Sequence, residues 1–409
     1  MIGDGWDGDP VTRPDSNVDD FDDLDIPAGT RRVAVVTGSR AEFGLLRPVM
    51  FAVARRSELA LMVIAAGSHL VSPALTFRDV KRDFAIADVV PMQIAGRTGR
   101  LEDVEALGRG IARFGRSFAH LKPDWVVVLG DRIEAFAAAS AASVGGFALA
   151  HIHGGDRAEG VADEAMRHAI TKLAQLHFPA TPNSRDRIIR MGEDAARVHL
   201  VGSPAIDELS RITCMDDAAY SALGSPTAIF LLHPTGQPDE VEEATAASIL
   251  SAISDTSHIS GERLLIMQPN LDPGRAGIMR AITTTGLTSL ANIDRTAWIA
   301  LLKRMATLAP HRGVLIGNSS AGLIEAAAIG LPVVDIGPRQ RGRERCPNVI
   351  HIDHPHADAL SRAIREARNV APASYQHPYG DGQTGDRIAN VLATMNPHDP
   401  AILRKNCSY

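Results

Sequence analysis

The 409-residue chain has few cysteines and few aromatic residues: three Cys, and 4% Phe, Trp and Tyr together. The cysteines, Cys214, Cys346 and Cys407, lie far apart, so they form neither a zinc-binding pattern nor a disulfide framework. We therefore expect a reducing cytoplasm as the compartment. No apolar run is long enough to span a bilayer, and the first residues lack the basic region and apolar core of a secretory signal.

The chain also lacks a strong excess of either charge, apart from one acidic segment. Residues 1–28 contain nine Asp and a single basic residue, Arg13; without them, the 42 basic and 48 acidic residues become 41 and 39. A segment of this composition buries too little apolar surface to fold, so an acidic disordered tail is predicted at 1–28. Since no basic stripe occurs elsewhere, a nucleic-acid partner is not expected.

What the chain does contain is a repeated order of apolar run, glycine turn and amphipathic stretch. This order is typical of βαβ units on a parallel sheet. Strands are predicted in the first half at Arg32–Thr37, Leu59–Ala65, Trp125–Leu129 and Ala148–Ile152. After a polar stretch at 216–226, interpreted as a linker, further strands are predicted at Ala228–Leu232, Leu264–Met267, Gly313–Ile316 and Val333–Ile336.

The fold class predicted from this order is α/β, with two Rossmann-like lobes. The N-terminal lobe is placed at 29–205 and the C-terminal lobe at 206–378. Residues 379–409 are expected to form a helix that packs back on the N-terminal lobe, followed by a tail. Ligands of open α/β sheets bind at the carboxyl ends of the strands, so a cleft between the lobes is the expected binding site.

Two Gly-x-Gly-x-x-Gly patterns, at 3–8 and 380–385, lack the βαβ context of a dinucleotide fingerprint. NAD binding is therefore disfavoured. Two other glycine turns are better candidates for binding phosphate, because each follows a strand and opens a helix. The first carries Arg40, and the second carries Ser319 and Ser320, with Glu325 placed to accept ribose hydroxyls. Arg339 lies in an arginine-rich loop after the next strand and is a candidate phosphate clamp.

Acid and base groups are concentrated at 130–168. Asp131 directly follows a strand, His153 follows the next one, and Asp163, Glu164 and His168 lie at the start of a predicted helix. Carboxylates and imidazoles grouped at strand ends suit general acid–base catalysis. A metal site built from Asp131, His153, Glu164 and His168 is the alternative, although no recognised ligand spacing is present.

Taken together, these blocks resemble the hydrolysing UDP-N-acetylglucosamine 2-epimerases of sialic and legionaminic acid synthesis. The resemblance is collinear from about Arg32 to Asn390. The blocks that carry it are 38–44 (GSRAEFG), 130–132 (GDR), 151–156 (HIHGGD), 163–172 (DEAMRHAITK), 202–204 (GSP), 233–234 (HP), 269–272 (PNLD), 317–322 (GNSSAG) and 337–342 (GPRQRG).

The resemblance implies a GT-B-like fold, a UDP-linked substrate, a homodimer, and no metal or external redox cofactor. It implies that a base removes the C2 proton while UDP leaves C1, and that water then adds to the resulting 2-acetamidoglucal. By similarity, Asp131, Asp163, Glu164 and His168 would act on the sugar. The residues that would hold the nucleotide are Arg40, Arg132, His233, Asn270, Ser319, Ser320, Glu325 and Arg339.

Two positions depart from the family pattern. His153 stands where many relatives have a catalytic Glu, and Asp156 stands where Glu is usual. These changes point to a modified sugar, for example a 4-amino-4,6-dideoxy one, or to a different nucleotide. A non-hydrolysing epimerase, a GT-B glycosyltransferase and a catalytically weakened nucleotide-sugar sensor are the alternative functions.

Overall fold

The computed structural model describes residues 26, 29–72, 75–97, 99–157, 164–255, 263–270, 272–372 and 375–406. Except for Ile26, the predicted acidic tail lies outside these residues, as do Asp163 and Cys407. The chain divides into two compact units, 1–156 with 165–204 and 383–409, and 157–164 with 205–382.

The first unit contains a six-stranded parallel sheet in the order β3-β2-β1-β4-β5-β6, the Rossmann order. Its strands are β1 (Arg31–Thr37), β2 (Leu59–Ala66), β3 (Ile86–Val90), β4 (Trp125–Leu129), β5 (Ala148–Ile152) and β6 (Leu176–Phe178). Its helices are α1 (Arg40–Ala54), α2 (Phe77–Asp83), α3 (Arg100–Leu121), α4 (Ile133–Gly145), α5 (Glu164–Leu173), α6 (Pro182–Arg190), α13 (Thr384–Thr394) and α14 (Pro400–Leu403). Glu164, the first residue of α5, is the last residue of the other unit's short segment.

The second unit repeats this arrangement in the order β12-β11-β10-β7-β8-β9, which is the same Rossmann order read from the opposite edge. Its strands are β7 (Ala228–Leu231), β8 (Leu264–Met267), β9 (Ser289–Leu290), β10 (Val314–Gly317), β11 (Val333–Ile336) and β12 (Val349–Ile352). Its helices are α7 (Asp217–Ala222), α8 (Asp239–Ser254), α9 (Arg275–Thr284), α10 (Arg295–Ala306), α11 (Ala327–Ile329) and α12 (Ala357–Asn369). The predicted α/β class with two Rossmann-like lobes is thus confirmed.

The central strands are apolar on both faces because helices cover both sides of each sheet. In β1, Val33 and Val35 belong to one buried cluster, and Ala34 and Val36 belong to another. This packing leaves the carboxyl ends of the strands as the place where polar loops meet. No helix among the described residues has both the length and the apolar character needed to cross a membrane.

Helix α13 packs against α1, and the contact accounts for the last glycine of the second Gly-x-Gly-x-x-Gly pattern. A Cβ on Gly385 would lie 2.7 Å from the carbonyl oxygen of Pro48 in α1. This glycine therefore permits two helices to approach closely, and its pattern is not part of a nucleotide loop. The interpretation of 216–226 as a linker was wrong, because these residues include helix α7. Tyr220 of this helix is buried and donates its hydroxyl to the carbonyl of Pro226 (2.5 Å).

Candidate active site at the carboxyl ends of the strands

Arg40 is the first residue of α1, directly after the turn that follows β1. Ser39 is the N-cap of this helix, and its hydroxyl accepts the N–H of Glu42 (3.4 Å). The Arg40 side chain is about one-third exposed, and its Nε lies 3.9 Å from Oδ2 of Asp79 in α2. Arg40 thus places a positive charge at a helix N-terminus, an arrangement that favours an anion such as phosphate.

Asp131 follows β4 and forms an ion pair with Arg167 of α5. The Arg167 side chain is 3% exposed and that of Asp131 is 21% exposed, so the carboxylate keeps access to solvent. Arg167 also donates to the carbonyl of Asp156 (2.8 Å). A charge-assisted bond to a buried guanidinium fixes a carboxylate in one position. Asp131 is therefore held in place and has an oxygen face available for a ligand.

The turn before Asp131 is fixed by the buried His151. Its Nε2 lies 2.8 Å from the carbonyl oxygen of Gly130, and its Nδ1 lies 3.1 Å from Oγ1 of Thr171 in α5. A carbonyl can only accept, so Nε2 carries a hydrogen and donates it. Burial lowers the pKa of His151 to about 3, which keeps the ring neutral. His151 therefore positions the Gly130–Asp131 turn and is not available as a proton carrier.

His153 has a left-handed backbone, with φ of 63°, and its side chain is almost buried. Its Nδ1 lies 2.8 Å from Oδ2 of Asp156, and its Nε2 lies 2.9 Å from Oγ of Ser203. Ser184 donates to the other carboxylate oxygen of Asp156 (2.8 Å). Both ring nitrogens are thus occupied, and the left-handed turn holds the imidazole in a fixed direction. Such backbone conformations in non-glycine residues are concentrated at functional sites.

The remaining described acid and base candidates lie on α5. Glu164 begins this helix, and His168 lies one turn further; both side chains are partly exposed. Arg132, which follows Asp131, places its Nε 3.4 Å from Oε2 of Glu134. The fifth catalytic candidate, Asp163, is outside the described residues.

In the second unit, Asn318 connects the turns after β7 and β10. Its side-chain oxygen accepts the N–H of His233 (2.7 Å), and its amide donates to the carbonyl of the same residue (2.8 Å). The turn after β11 is tied to the same place, because Arg339 (3.2 Å) and Gln340 (2.9 Å) both donate to the carbonyl of Asn318. Three loops at the carboxyl edge of this sheet therefore meet at one asparagine.

The imidazole of His233 joins the turn after β8 to this group. Its Nδ1 accepts the backbone N–H of Asn270 (3.2 Å). Burial, and after it the positive charge of Arg339, together lower the pKa of His233 to about 3. His233 is therefore neutral, and Arg339 supplies the positive charge of this loop cluster. The Asn270 side chain itself donates to Asp272.

Ser319 and Ser320 lie at the start of the helical segment after β10, where N–H groups have no intrahelical partners. The backbone approaches closely here: Gly317 has φ of 150°, and a Cβ at this position would collide with the carbonyl of Leu231. The Ser319 hydroxyl accepts the N–H of Ala321 (3.3 Å). The turn thus places N–H groups and a hydroxyl at a helix start, where an anion is favoured, and only glycine fits at its first position.

Glu325 lies in a one-turn π-helix, Gly322–Ala326, that continues from this turn. π-Helical turns are rare and are frequent at functional sites. The Glu325 carboxylate forms an ion pair with Arg295 of α10, and Arg295 also donates to the carbonyl of Ala205 (2.7 Å). The carboxylate expected to accept ribose hydroxyls is thus oriented by an arginine.

Sequence reasoning missed the residues that hold these candidates in place, namely Arg167, Asn318, Arg295 and Glu134. Asn318 lies inside a block that was recognised, and its position between glycine and two serines was the available signal. Arg167 likewise lies inside the recognised block 163–172, but its partner Asp131 is distant in sequence, and Arg295 lies in no recognised block. Among the described residues, no three His, Cys, Asp or Glu side chains are grouped to hold a metal ion.

Comparison with known proteins decides the family. Residues 52–393 match the family model described as UDP-N-acetylglucosamine 2-epimerase. The chain belongs to the UDP-N-acetylglucosamine 2-epimerase family. Among curated members, it is 34% identical to the UDP-N,N'-diacetylbacillosamine 2-epimerase (hydrolyzing) of Legionella pneumophila, over 93% of this chain and 100% of that protein. It is 28% identical to a UDP-N-acetylglucosamine 2-epimerase of Neisseria meningitidis, over 88% of this chain and 95% of that one.

Solved structures of the family share the fold. The UDP-GlcNAc 2-epimerase from N. meningitidis bound to UDP-GlcNAc superposes with a TM-score of 0.71 at 18% identity, covering 88% of this chain and 99% of the other. The Methanocaldococcus jannaschii enzyme in complex with UDP-GlcNAc and UDP gives a TM-score of 0.71 at 18% identity, with the same coverage. The GT-B-like architecture expected of this family member is thereby confirmed.

Proposed function

We propose that the protein is a hydrolysing 2-epimerase of a UDP-linked 2-acetamido sugar. The observation that carries the proposal is the 34% identity, across 93% of this chain and the whole of the relative, to an enzyme described as hydrolyzing. The ion-paired Asp131 and the anion-binding turn at Ser319 are consistent with the two tasks of such an enzyme. These tasks are removing a proton from carbon and stabilising a departing diphosphate.

In the proposed first stage, a carboxylate takes the C2 proton and the C2–H electron pair forms a C1=C2 double bond. The C1–O bond breaks, and UDP leaves with its electrons. In the second stage, water adds its oxygen to C1 and a proton returns to C2 on the opposite face. The products are a free sugar of inverted C2 configuration and UDP, with no net oxidation.

Asp131 is our first candidate for the group that exchanges the C2 proton, because Arg167 holds it in one position and part of its side chain reaches solvent. Asp163, Glu164 and His168 are proposed as the further acid and base groups. His153 is proposed to shape the site through Asp156 and Ser203, since both its ring nitrogens are already hydrogen-bonded.

For the nucleotide, we propose that N–H groups and arginines stabilise the negative charge of the leaving diphosphate. Helix N-termini and guanidinium groups bind phosphate oxygens well. The residues assigned to this role are Arg40, Arg132, His233, Asn270, Ser319, Ser320 and Arg339, with Glu325 accepting from the ribose.

We propose UDP-N,N'-diacetylbacillosamine as the first sugar nucleotide to test, with UDP-N-acetylglucosamine second. Both the L. pneumophila relative and a Campylobacter jejuni relative, 27% identical over 78% of this chain, are described as hydrolyzing N,N'-diacetylbacillosamine 2-epimerases. The C. jejuni description names GDP as well as UDP, so the GDP-linked sugar belongs in the panel.

The test is to incubate the purified protein with each nucleotide sugar and to identify products by NMR. Free manno-configured sugar with an equal amount of UDP supports the proposal. An epimerised sugar still attached to UDP would identify a non-hydrolysing epimerase, and release only with an added acceptor would identify a glycosyltransferase. Binding without turnover across the panel would identify a sensor. The homodimer implied by the family resemblance is tested separately, by light scattering.

A further inference from the structure

Two buried carboxyl groups of the first unit have no catalytic or nucleotide-binding role in the proposed function. Glu42, in the first turn of α1, is 4% exposed, and Glu134, in the first turn of α4, is completely buried. Both lie where the loops after the central strands meet. Burying one charged carboxylate requires hydrogen-bond donors or a cation beside it. Burying two charged carboxylates side by side requires more positive charge than Arg132, the cation near Glu42, supplies.

Glu134 lies in a slot formed by the loops of four strands. A Cβ on Gly38, after β1, or on Gly67, after β2, would collide with the Glu134 side chain, so glycine at both positions makes room for it. Gln93, after β3, donates to its Oε1 (2.9 Å). Arg132, after β4, lies 3.4 Å from its Oε2. Glu134 thus contacts every loop at this part of the sheet edge.

Glu42 holds the turn that presents Arg40. Its Oε2 accepts the backbone N–H of Gly38 (2.7 Å), and its own N–H is bonded to the N-cap Ser39. Its Oε1 is buried and has no hydrogen-bond partner among the described residues. A hydrogen on this oxygen would make it a neutral acid, which needs no counter-charge.

The charged and titratable groups around Glu42 are few. Burial is the main reason why the pKa of Glu42 is raised, and the neighbouring Glu134 is the second. The resulting pKa is about 8. Arg132 is the cation that faces the pair, and it acts in the opposite direction. His69 lies in the turn after β2, and its ring is hydrogen-bonded to two threonine hydroxyls (3.0 and 2.7 Å). Burial, and after it Arg132, lower the pKa of His69 to about 4, so this residue adds no charge at neutral pH. On the outer side, Arg40 faces Asp79.

We infer that Glu42 carries a proton in the resting protein and that the neutral Glu42, packed beside Glu134, positions the 38–40 turn, and with it Arg40. Ionising Glu42 places a second negative charge in the slot, with Arg132 as the cation for both. The turn then shifts, and Arg40 is no longer presented correctly. Glu42 and Glu134 are positioning residues, and the inference rests on the proposed function only in assigning Arg40 to the nucleotide.

The test measures UDP affinity by calorimetry from pH 6 to 9.5 for the wild type and for Glu42→Gln, which resembles the neutral acid. We expect wild-type affinity to be constant up to about pH 8 and then to fall as Glu42 ionises, approaching tenfold per pH unit. Glu42→Gln should bind UDP within a few fold of the wild type at pH 7 and lose this decline. Glu134→Gln should move the decline to lower pH, because it removes the negative charge that opposes ionisation of Glu42 while Glu42 stays buried.

A second measurement does not depend on UDP. At pH 7, the infrared C=O stretch of a protonated carboxyl group should be present in the wild type and reduced in Glu42→Gln. Identical UDP–pH profiles in the wild type and Glu42→Gln, or identical infrared bands, would overturn the inference. If UDP binds to neither protein at any pH, the proposed function fails, and the infrared comparison still decides the protonation of Glu42.

Discussion

Asn318, in the turn after β10, hydrogen-bonds to both the N–H and the carbonyl of His233, in the turn after the adjacent strand β7. Its oxygen accepts the His233 N–H at 2.7 Å, and its amide donates to the His233 carbonyl at 2.8 Å. Because an amide has one donor side and one acceptor side, Asp cannot replace it without repelling the carbonyl. The loops that carry the proposed nucleotide ligands therefore depend on this one side chain.

We expect Asn318→Asp to weaken UDP binding by about tenfold or more, since an unsatisfied buried group costs about 1–3 kcal/mol. Calorimetry with UDP measures the effect. Asn390→Ala, a change at an exposed amide, is the control and should bind normally. Unchanged affinity in Asn318→Asp would remove the loop cluster from nucleotide binding.

Asp131→Asn is expected to abolish turnover and to leave UDP affinity within a few fold. The change removes the carboxylate that we propose exchanges the C2 proton, and it leaves Arg167 buried without its charge partner, so stability should fall by about 3–5 kcal/mol. Urea unfolding and a UDP-release assay measure the two effects. Asp186→Asn, an exposed change on α6, should alter neither quantity. Full turnover in Asp131→Asn would exclude this residue from the chemistry.

His153→Glu restores the residue type of many relatives but should destabilise this protein. A carboxylate at this position would lie against Asp156 and would lose the donor to its carboxylate. We expect a loss of about 1–3 kcal/mol in the free energy of unfolding, measured in urea. His153→Asn, which tolerates the left-handed backbone, should lose less. Equal stability of His153→Glu and wild type would contradict the geometry described for this turn.

Lys405 fixes the C-terminal end of α5. Its ammonium donates to the carbonyls of Thr171 (2.9 Å) and Ala174 (2.6 Å) and pairs with Glu193 (2.7 Å). We expect Lys405→Met to lose about 1–3 kcal/mol of stability and Lys405→Arg to recover part of it. Arg404→Met, a change at an exposed neighbouring residue, should have little effect and serves as the control. A stable Lys405→Met would show that these contacts contribute nothing.

The same cluster predicts a pH dependence. Burial opposes ionisation of Glu193, but hydrogen bonds from His177, Lys172 and Lys405 lower its pKa to about 2, below the ordinary 4.5. A carboxyl group with a lowered folded-state pKa stabilises the protein above its unfolded pKa. That stability is lost as the pH falls from 4.5 towards 2. Unfolding free energies over this range should therefore decline less steeply in Glu193→Gln than in the wild type.

The central strands could be predicted from the sequence because they are continuous apolar runs; Trp125–Leu129 and Ala148–Ile152 have the predicted bounds. The four missed strands are the edge strands of the two sheets. They are short or interrupted by polar residues, as with Leu176–Phe178 and with Asp88 inside Ile86–Val90. An edge strand forms by pairing with a single neighbouring strand that is distant in sequence. The local sequence pattern therefore predicts an edge strand poorly.

For the candidate site, the rule that ligands bind at strand ends led to Asp131, His233 and Ser319. The supporting contacts were not predictable from pattern. Arg167 is separated from Asp131 by 36 residues, and its burial depends on how α5 packs. Likewise, Glu42 and Glu134 look like ordinary helix-start glutamates until the glycines beside them are placed in space.

The most direct test of the account is the fate of hydrogen at C2. The protein is incubated with UDP-N,N'-diacetylbacillosamine, and separately with UDP-N-acetylglucosamine, in deuterated water, and the released sugar is analysed by NMR and mass spectrometry. We predict free sugar of inverted C2 configuration with one deuterium at C2, released together with UDP. Released sugar that retains its C2 hydrogen and its original configuration would show simple hydrolysis and would contradict the account.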